Sequence, residues 1–156
     1  MKITILAVGK KHDPKLQEAI SDYSKRLNHY VKLEWRLLDV KLSPSMNNSH
    51  IRSLESNSIR KEIKSNDTCV LLDERGVDLT SPKLADTIQN YMNNGSQNIV
   101  FIIGGAYGVD ESLLDQIDFK LSLSNLIFPH QLVRLVLIEQ LYRAYTILAG
   151  EKYHHI

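Results

Sequence analysis

The run Asn98–Ile103, NIVFII, is almost unbroken apolar and β-branched, and it stops abruptly on Gly104 and Gly105, with a third glycine at Gly108. A run this short reads as a buried strand, and its glycine exit lets the backbone approach a ligand closely. The order Gly-Gly-x-x-Gly is neither the dinucleotide fingerprint nor a P-loop, which would end in Lys-Ser/Thr. By itself it marks a plain turn as readily as a ligand loop. A second short strand, Phe119 to Leu123, enters the loop Ser124-Asn125-Leu126-Ile127-Phe128, and Pro129 then opens a long helix where its missing N–H costs nothing. A surface connection seldom carries Leu126, Ile127 and Phe128 together, so these side chains require a cover. The protein's own core, a partner subunit or the flat base of a cofactor would each serve. In an open α/β sheet ligands bind beyond the carboxyl ends of the strands, so the two neighbouring exits and the helix start predict one pocket.

The rest of the chain supplies the sheet. Lys2 to Val8 reads as the first strand, and Asp13-Pro14 as the start of a helix with Leu16, Ala19, Ile20, Tyr23 and Leu27 inward and Lys15, Lys25 and Arg26 outward. Val31 to Asp39 is the second strand, with Trp35 packed in it. A loop over Leu42 to Asn48 precedes a polar helix from about Ser49 to Lys64, whose narrow stripe is Ile51, Leu54, Ile59 and Ile63. Thr68 to Leu72 is a third strand closed by a polar turn, Asp73 to Gly76, so that Leu72 can face the same pocket as Gly104. Ser81-Pro82 starts a helix with Leu84, Ile88 and Tyr91 inward. The last helix, from Pro129 to about Leu148, has more apolar positions than one face can use, and a second chain is the natural partner for the surplus. The pattern βαβαβαβ(short α)βα predicts a single-domain α/β fold over residues 1–156, its sheet largely parallel with helices on both faces.

Composition narrows the function classes. A chain of 156 residues that is 43% hydrophobic and 24% charged supports one core and argues against a disordered or fibrous class. No signal peptide or spanning segment is evident, so a cytoplasmic location is expected. Cys69 is the single cysteine, which excludes an intrachain disulfide and a cysteine-clustered zinc site, and its place among Val70, Leu71 and Leu72 makes it core filler. A formal net charge of +1 gives no global pull toward nucleic acid, so RNA binding would need a local basic patch.

Few residues are equipped for chemistry. Arg134 and Arg143 sit in an aliphatic helix, where a guanidinium is costly unless something anionic or polar meets it. A structural role is favoured for Arg134, whereas an internal salt bridge and a substrate contact compete evenly for Arg143. His130 reads as a structural hydrogen-bond donor. Tyr153, His154 and His155 form a terminal cluster able to exchange protons.

The segments MKITILAVGK, FIIGGAYG, LSLSNLIFPHQLVRLVLIEQLYRA and the terminal YHH resemble the ribosomal RNA large-subunit methyltransferase H family, of the SPOUT superfamily of knotted methyltransferases. The resemblance covers essentially the whole chain and is weakest between about Lys41 and Asn66. It implies a homodimer with a trefoil knot near its C-terminal end, S-adenosylmethionine bound in the knot, and methylation of N3 of a pseudouridine in helix 69 of 23S rRNA on the assembled ribosome. It places cofactor contacts on Leu72, Gly104, Leu123, Ser124, Asn125, Leu126, Ile127 and Phe128, and catalytic roles on Arg143, Tyr153 and His154. The family commonly ends in Tyr-His followed by Arg or Lys, and this chain has His155 there. A non-catalytic ribosome-associated factor and a methyltransferase for another RNA are the competing readings.

Overall fold

The computed structural model describes residues 1–155. Five strands form one sheet: β1 (Lys2–Val8), β2 (Lys32–Leu38), β3 (Thr68–Asp78), β4 (Asn98–Ile103) and β5 (Phe119–Ser122), in the order β2-β1-β4-β3-β5. Every neighbouring pair is parallel. The connecting helices are α1 (Gln17–Leu27), α2 (Asn48–Glu62), α3 (Ser81–Asn93), α4 (Glu111–Leu114) and α5 (His130–Leu148).

Alternation along the strands divides the core between two faces. Ile3, Ile5 and Ala7 of β1, with Ile99, Phe101 and Ile103 of β4, pack beneath α1, α3 and α5, whereas Leu6, Val8, Val100 and Ile102 pack beneath α2 and α4 through Ile59 and Leu113. Both faces are covered, which is why the central strands carry no polar alternation. Cys69 is buried in the second cluster, and burial pushes its thiol up to about 12. Trp35 packs edge-on against His12 with ring centroids 4.6 Å apart, and its indole N–H donates to Ser24 Oγ at 2.9 Å.

Three local expectations need correction. Asp73 to Gly76 does not end β3; it is an excursion within the strand, with Leu72 and Val77 both placed opposite Leu121. Asp73 stabilises the excursion by accepting from the Arg75 backbone N–H at 2.9 Å and pairing with the Arg75 guanidinium at 3.0 Å. The helix expected from Asp13-Pro14 begins at Gln17, because Asp13 instead closes a turn, accepting from the Lys15 N–H at 2.8 Å and the Leu16 N–H at 2.9 Å. The second helix starts a residue earlier than expected, on the side chain of Asn47, which accepts from the His50 N–H at 2.8 Å.

Candidate active site

The carboxyl ends of β3, β4 and β5 open on one cavity of about 1500 Å³. Leu72 enters from β3, Gly104 to Asp110 from the loop after β4, Leu123, Ser124 and Leu126 to Phe128 from the loop after β5, and His130 and Val133 from the first turns of α5. Of the eight residues expected to contact a cofactor, Leu72, Gly104, Leu123, Ser124, Leu126, Ile127 and Phe128 line this cavity, while Asn125 is exposed and lies outside the lining. Ser124 shapes its loop: its hydroxyl accepts from the Leu126 N–H at 2.9 Å and its carbonyl accepts from Ser122 Oγ at 2.9 Å. The loop holds Leu126 at 71% and Ile127 at 81% exposure. Two uncovered aliphatic side chains on a cavity wall suit a flat apolar ligand surface.

Arg134 is fully buried and structural, as expected, and its partners are three backbone carbonyls and the His12 ring, whose Nδ1 lies 3.2 Å from Nη1. Nη1 donates to Lys11 O at 2.9 Å, and Nη2 donates to Val8 O at 2.9 Å and Gly9 O at 3.2 Å, which fixes the exit of β1 onto α5. Burial lowers the Arg134 pKa. His130 lines the cavity, and burial, then the nearby Arg134 charge, hold its imidazole below the ordinary range.

The expected catalytic residues form a second cluster. Glu139 Oε1 accepts from Arg143 Nη2 at 2.6 Å, from Arg143 Nε at 3.1 Å and from the Tyr153 hydroxyl at 2.9 Å. Arg143 Nη1 lies 3.3 Å from His154 Nδ1, and the guanidinium stacks over the Tyr153 ring at 4.7 Å. The hydrogen bond to Glu139 is the main reason the Arg143 pKa is raised. Burial first, then hydrogen bonds to Tyr23 and Glu139, hold the Tyr153 phenol well above its usual range. The tail is not loose. Gly150, with φ +73°, donates to Ile147 O at 3.0 Å and Glu151 to Thr146 O at 2.9 Å, a Schellman stop that turns the chain back along α5. The Tyr30 hydroxyl bonds Glu151 and holds the turn.

Arg26 joins this cluster, its guanidinium 5.7 Å from the centre of the Tyr142 ring, which in turn packs 4.8 Å from Tyr153. Glu139 was not among the expected site residues, although its spacing of four from Arg143 is a helix-pair signal.

The structure does not bring the two groups together within one chain. Arg143 lies ten residues beyond Val133 on α5, a rise of about 15 Å, and none of Arg143, Tyr153 and His154 lines the cavity. The tail therefore does not hang over the mouth of its own pocket.

A family model described as a predicted SPOUT methyltransferase matches residues 1–154. The chain belongs to the SPOUT methyltransferase family. Among its relatives, the ribosomal RNA large subunit methyltransferase H of Acetivibrio thermocellus is 42% identical, with 99% of each chain covered. The proteins of the same name from Clostridium botulinum and Christiangramia forsetii are 41% and 40% identical, again over 99% of each chain. The all-parallel five-stranded sheet with helices on both faces fits the SPOUT assignment made from sequence. No described helix is long and apolar enough to cross a membrane.

Proposed function

We propose that this SPOUT chain methylates N3 of a pseudouridine in helix 69 of 23S rRNA on the assembled ribosome, in the cytoplasm, as a knotted homodimer that takes its methyl group from S-adenosylmethionine. The observation that carries the reading is the cavity itself, whose wall holds seven of the eight expected cofactor residues and leaves Leu126 and Ile127 bare for an adenine face. S-adenosylmethionine would supply an electrophilic methyl group on a sulfonium. Leu72, Gly104 and the Leu123 to Phe128 loop would hold it, their apolar side chains covering the base and their backbone groups bonding its edge.

The separation of the two clusters supports a homodimer, in which the Arg143, Tyr153 and His154 group of one chain completes the cavity of the other. Leu132 and Val136 are half-buried along α5 and would supply the apolar face for that contact. Alignment of the ring nitrogen with the donor carbon is the main task, since methyl transfer is an in-line displacement. Arg143 would stabilise negative charge on the carbonyls that flank N3. The N3 proton needs an acceptor, and the raised phenol of Tyr153 stays protonated at neutral pH, which makes it a poor base. Tyr153 instead holds Glu139 and supports Arg143, leaving His154, whose Nδ1 is freed when Arg143 turns to the substrate.

Mass spectrometry of rRNA nucleosides from cells with and without the gene tests the reading. N3-methylpseudouridine in 23S rRNA is expected to vanish with the gene. An unchanged modification profile, or calorimetry showing no S-adenosylmethionine binding, would refute it and favour a non-catalytic ribosome factor.

A further inference from the structure

Beside the large cavity lies a groove of about 300 Å³ where β1 and β2 end, separated from it by the loop after β4. The chain leaves β1 for the sheet edge at β2 and leaves β4 in the opposite direction for β5, so the crevice between β1 and β4 is a topological switch point. Open parallel sheets bind ligands at such points. Glu55 of α2 lines the groove at 5% exposure, in a helix whose other groove residue is the apolar Ile51. Its Oε1 is sealed and bonds nothing, and no hydrogen bond to Oε2 exists among the described residues. Burial lifts the carboxyl pKa because nothing offsets the loss of water around its charged form, and a donor brought by a ligand would offset that cost. Gly105 is matched to it: a Cβ there would sit 2.6 Å from Glu55 Oε2. Lys10 is exposed on the groove's rim, and Tyr107 offers a ring at 46% exposure.

A buried acceptor, an available aromatic face and an exposed cation together match one nucleotide. We propose that this groove is a second RNA subsite, which holds a nucleotide other than the methylated one and selects a base bearing an exocyclic amino group. The amine donates to Glu55 Oε2, the carboxylate oxygen that is not sealed, while the ring lies against Tyr107 and the phosphate meets Lys10. An exocyclic amine reaches a single carboxylate oxygen freely, whereas the imide of uracil brings a carbonyl on each side of its N–H. The inference rests on the reading of this chain as an RNA methyltransferase, and it assigns to Glu55 a role in specificity.

Amide NMR titration with AMP, CMP, GMP and UMP, in excess S-adenosylmethionine, tests it. Shifts at Gly9, Lys10 and Gly105 are expected, with the three amino-bearing nucleotides binding about tenfold more tightly than UMP. Glu55→Met breaks no hydrogen bond within the chain and keeps the volume, so it should fold and lose the tenfold preference. Gly105→Ala, whose Cβ displaces the carboxylate, should lose it too. Equal binding of UMP, a preference retained by Glu55→Met, or no shift at these amides with millimolar nucleotide would overturn the subsite. Wild-type methylation of rRNA is measured in parallel. Its failure with nucleotide selection intact would remove the methyltransferase reading alone.

Discussion

Arg134 and Arg143 share one helix and one side-chain type, yet one is sealed against carbonyl oxygens and the other remains a quarter exposed on a carboxylate. Arg134→Leu should cost roughly 3 kcal/mol in urea unfolding, because it strands the Val8, Gly9 and Lys11 carbonyls without donors. Arg134→Lys should recover little, since an ammonium cannot span the forked geometry. Arg143→Ala should instead leave the fold and S-adenosylmethionine affinity intact and lower turnover by about 100-fold; unchanged turnover would remove it from the chemistry. The sequence showed that Arg134 needs a polar partner but not which one, because a backbone carbonyl has no sequence signature. His12 and His130 share a sign: burial first, then the Arg134 charge, lowers both pKa values. The unfolded chain therefore binds protons the folded chain does not, so stability is intact above about pH 6.5 and falls as pH drops below it. Urea midpoints should hold steady above about pH 6.5 and decline from there to about pH 5; a flat profile would contradict the burial of these rings.

At the scale of elements, the loop between β5 and α5 carries the cofactor reading. Leu126→Asp with Ile127→Asp should weaken S-adenosylmethionine binding by about 10-fold or more in calorimetry, and both side chains are exposed enough that stability should move by less than about 0.5 kcal/mol. Unaltered affinity would place the donor elsewhere. The strands β1 and β4 were legible because both of their faces are covered, which leaves short unbroken apolar runs. The Asp73 to Gly76 excursion was not, since polar residues in a row read as a strand end and only the pairing of both Leu72 and Val77 with Leu121 shows that β3 resumes. Glu55 and Ser56 escaped notice for a related reason. A carboxylate and a hydroxyl on a polar helix read as solvated, whereas Ser56 accepts from the Asp110 N–H at 2.9 Å and both side chains are buried by the loop that follows β4. On α5, Val136→Asp should yield a monomer by sedimentation that retains cofactor binding and loses methyl transfer.

The molecule as a whole has a net charge of +1, too little to draw a single chain to rRNA. A dimer would double and concentrate its cations, among them Lys10, Lys11, Lys25 and Arg26, all exposed in the chain. Neutralising Lys10 and Lys11 should flatten the salt dependence of ribosome binding by about one unit of slope or less per lysine. The tail of each chain is pinned to its own α5, so a site completed across the dimer needs no disordered segment to reach over. The direct test mixes two impaired proteins, one carrying Arg143→Ala and the other Leu126→Asp with Ile127→Asp, at limiting S-adenosylmethionine and under conditions that exchange subunits. A composite site predicts that methyl transfer returns to roughly a quarter of the wild-type rate, because half the dimers are mixed and each regains one intact site. No recovery in a mixture shown to contain heterodimers would contradict it.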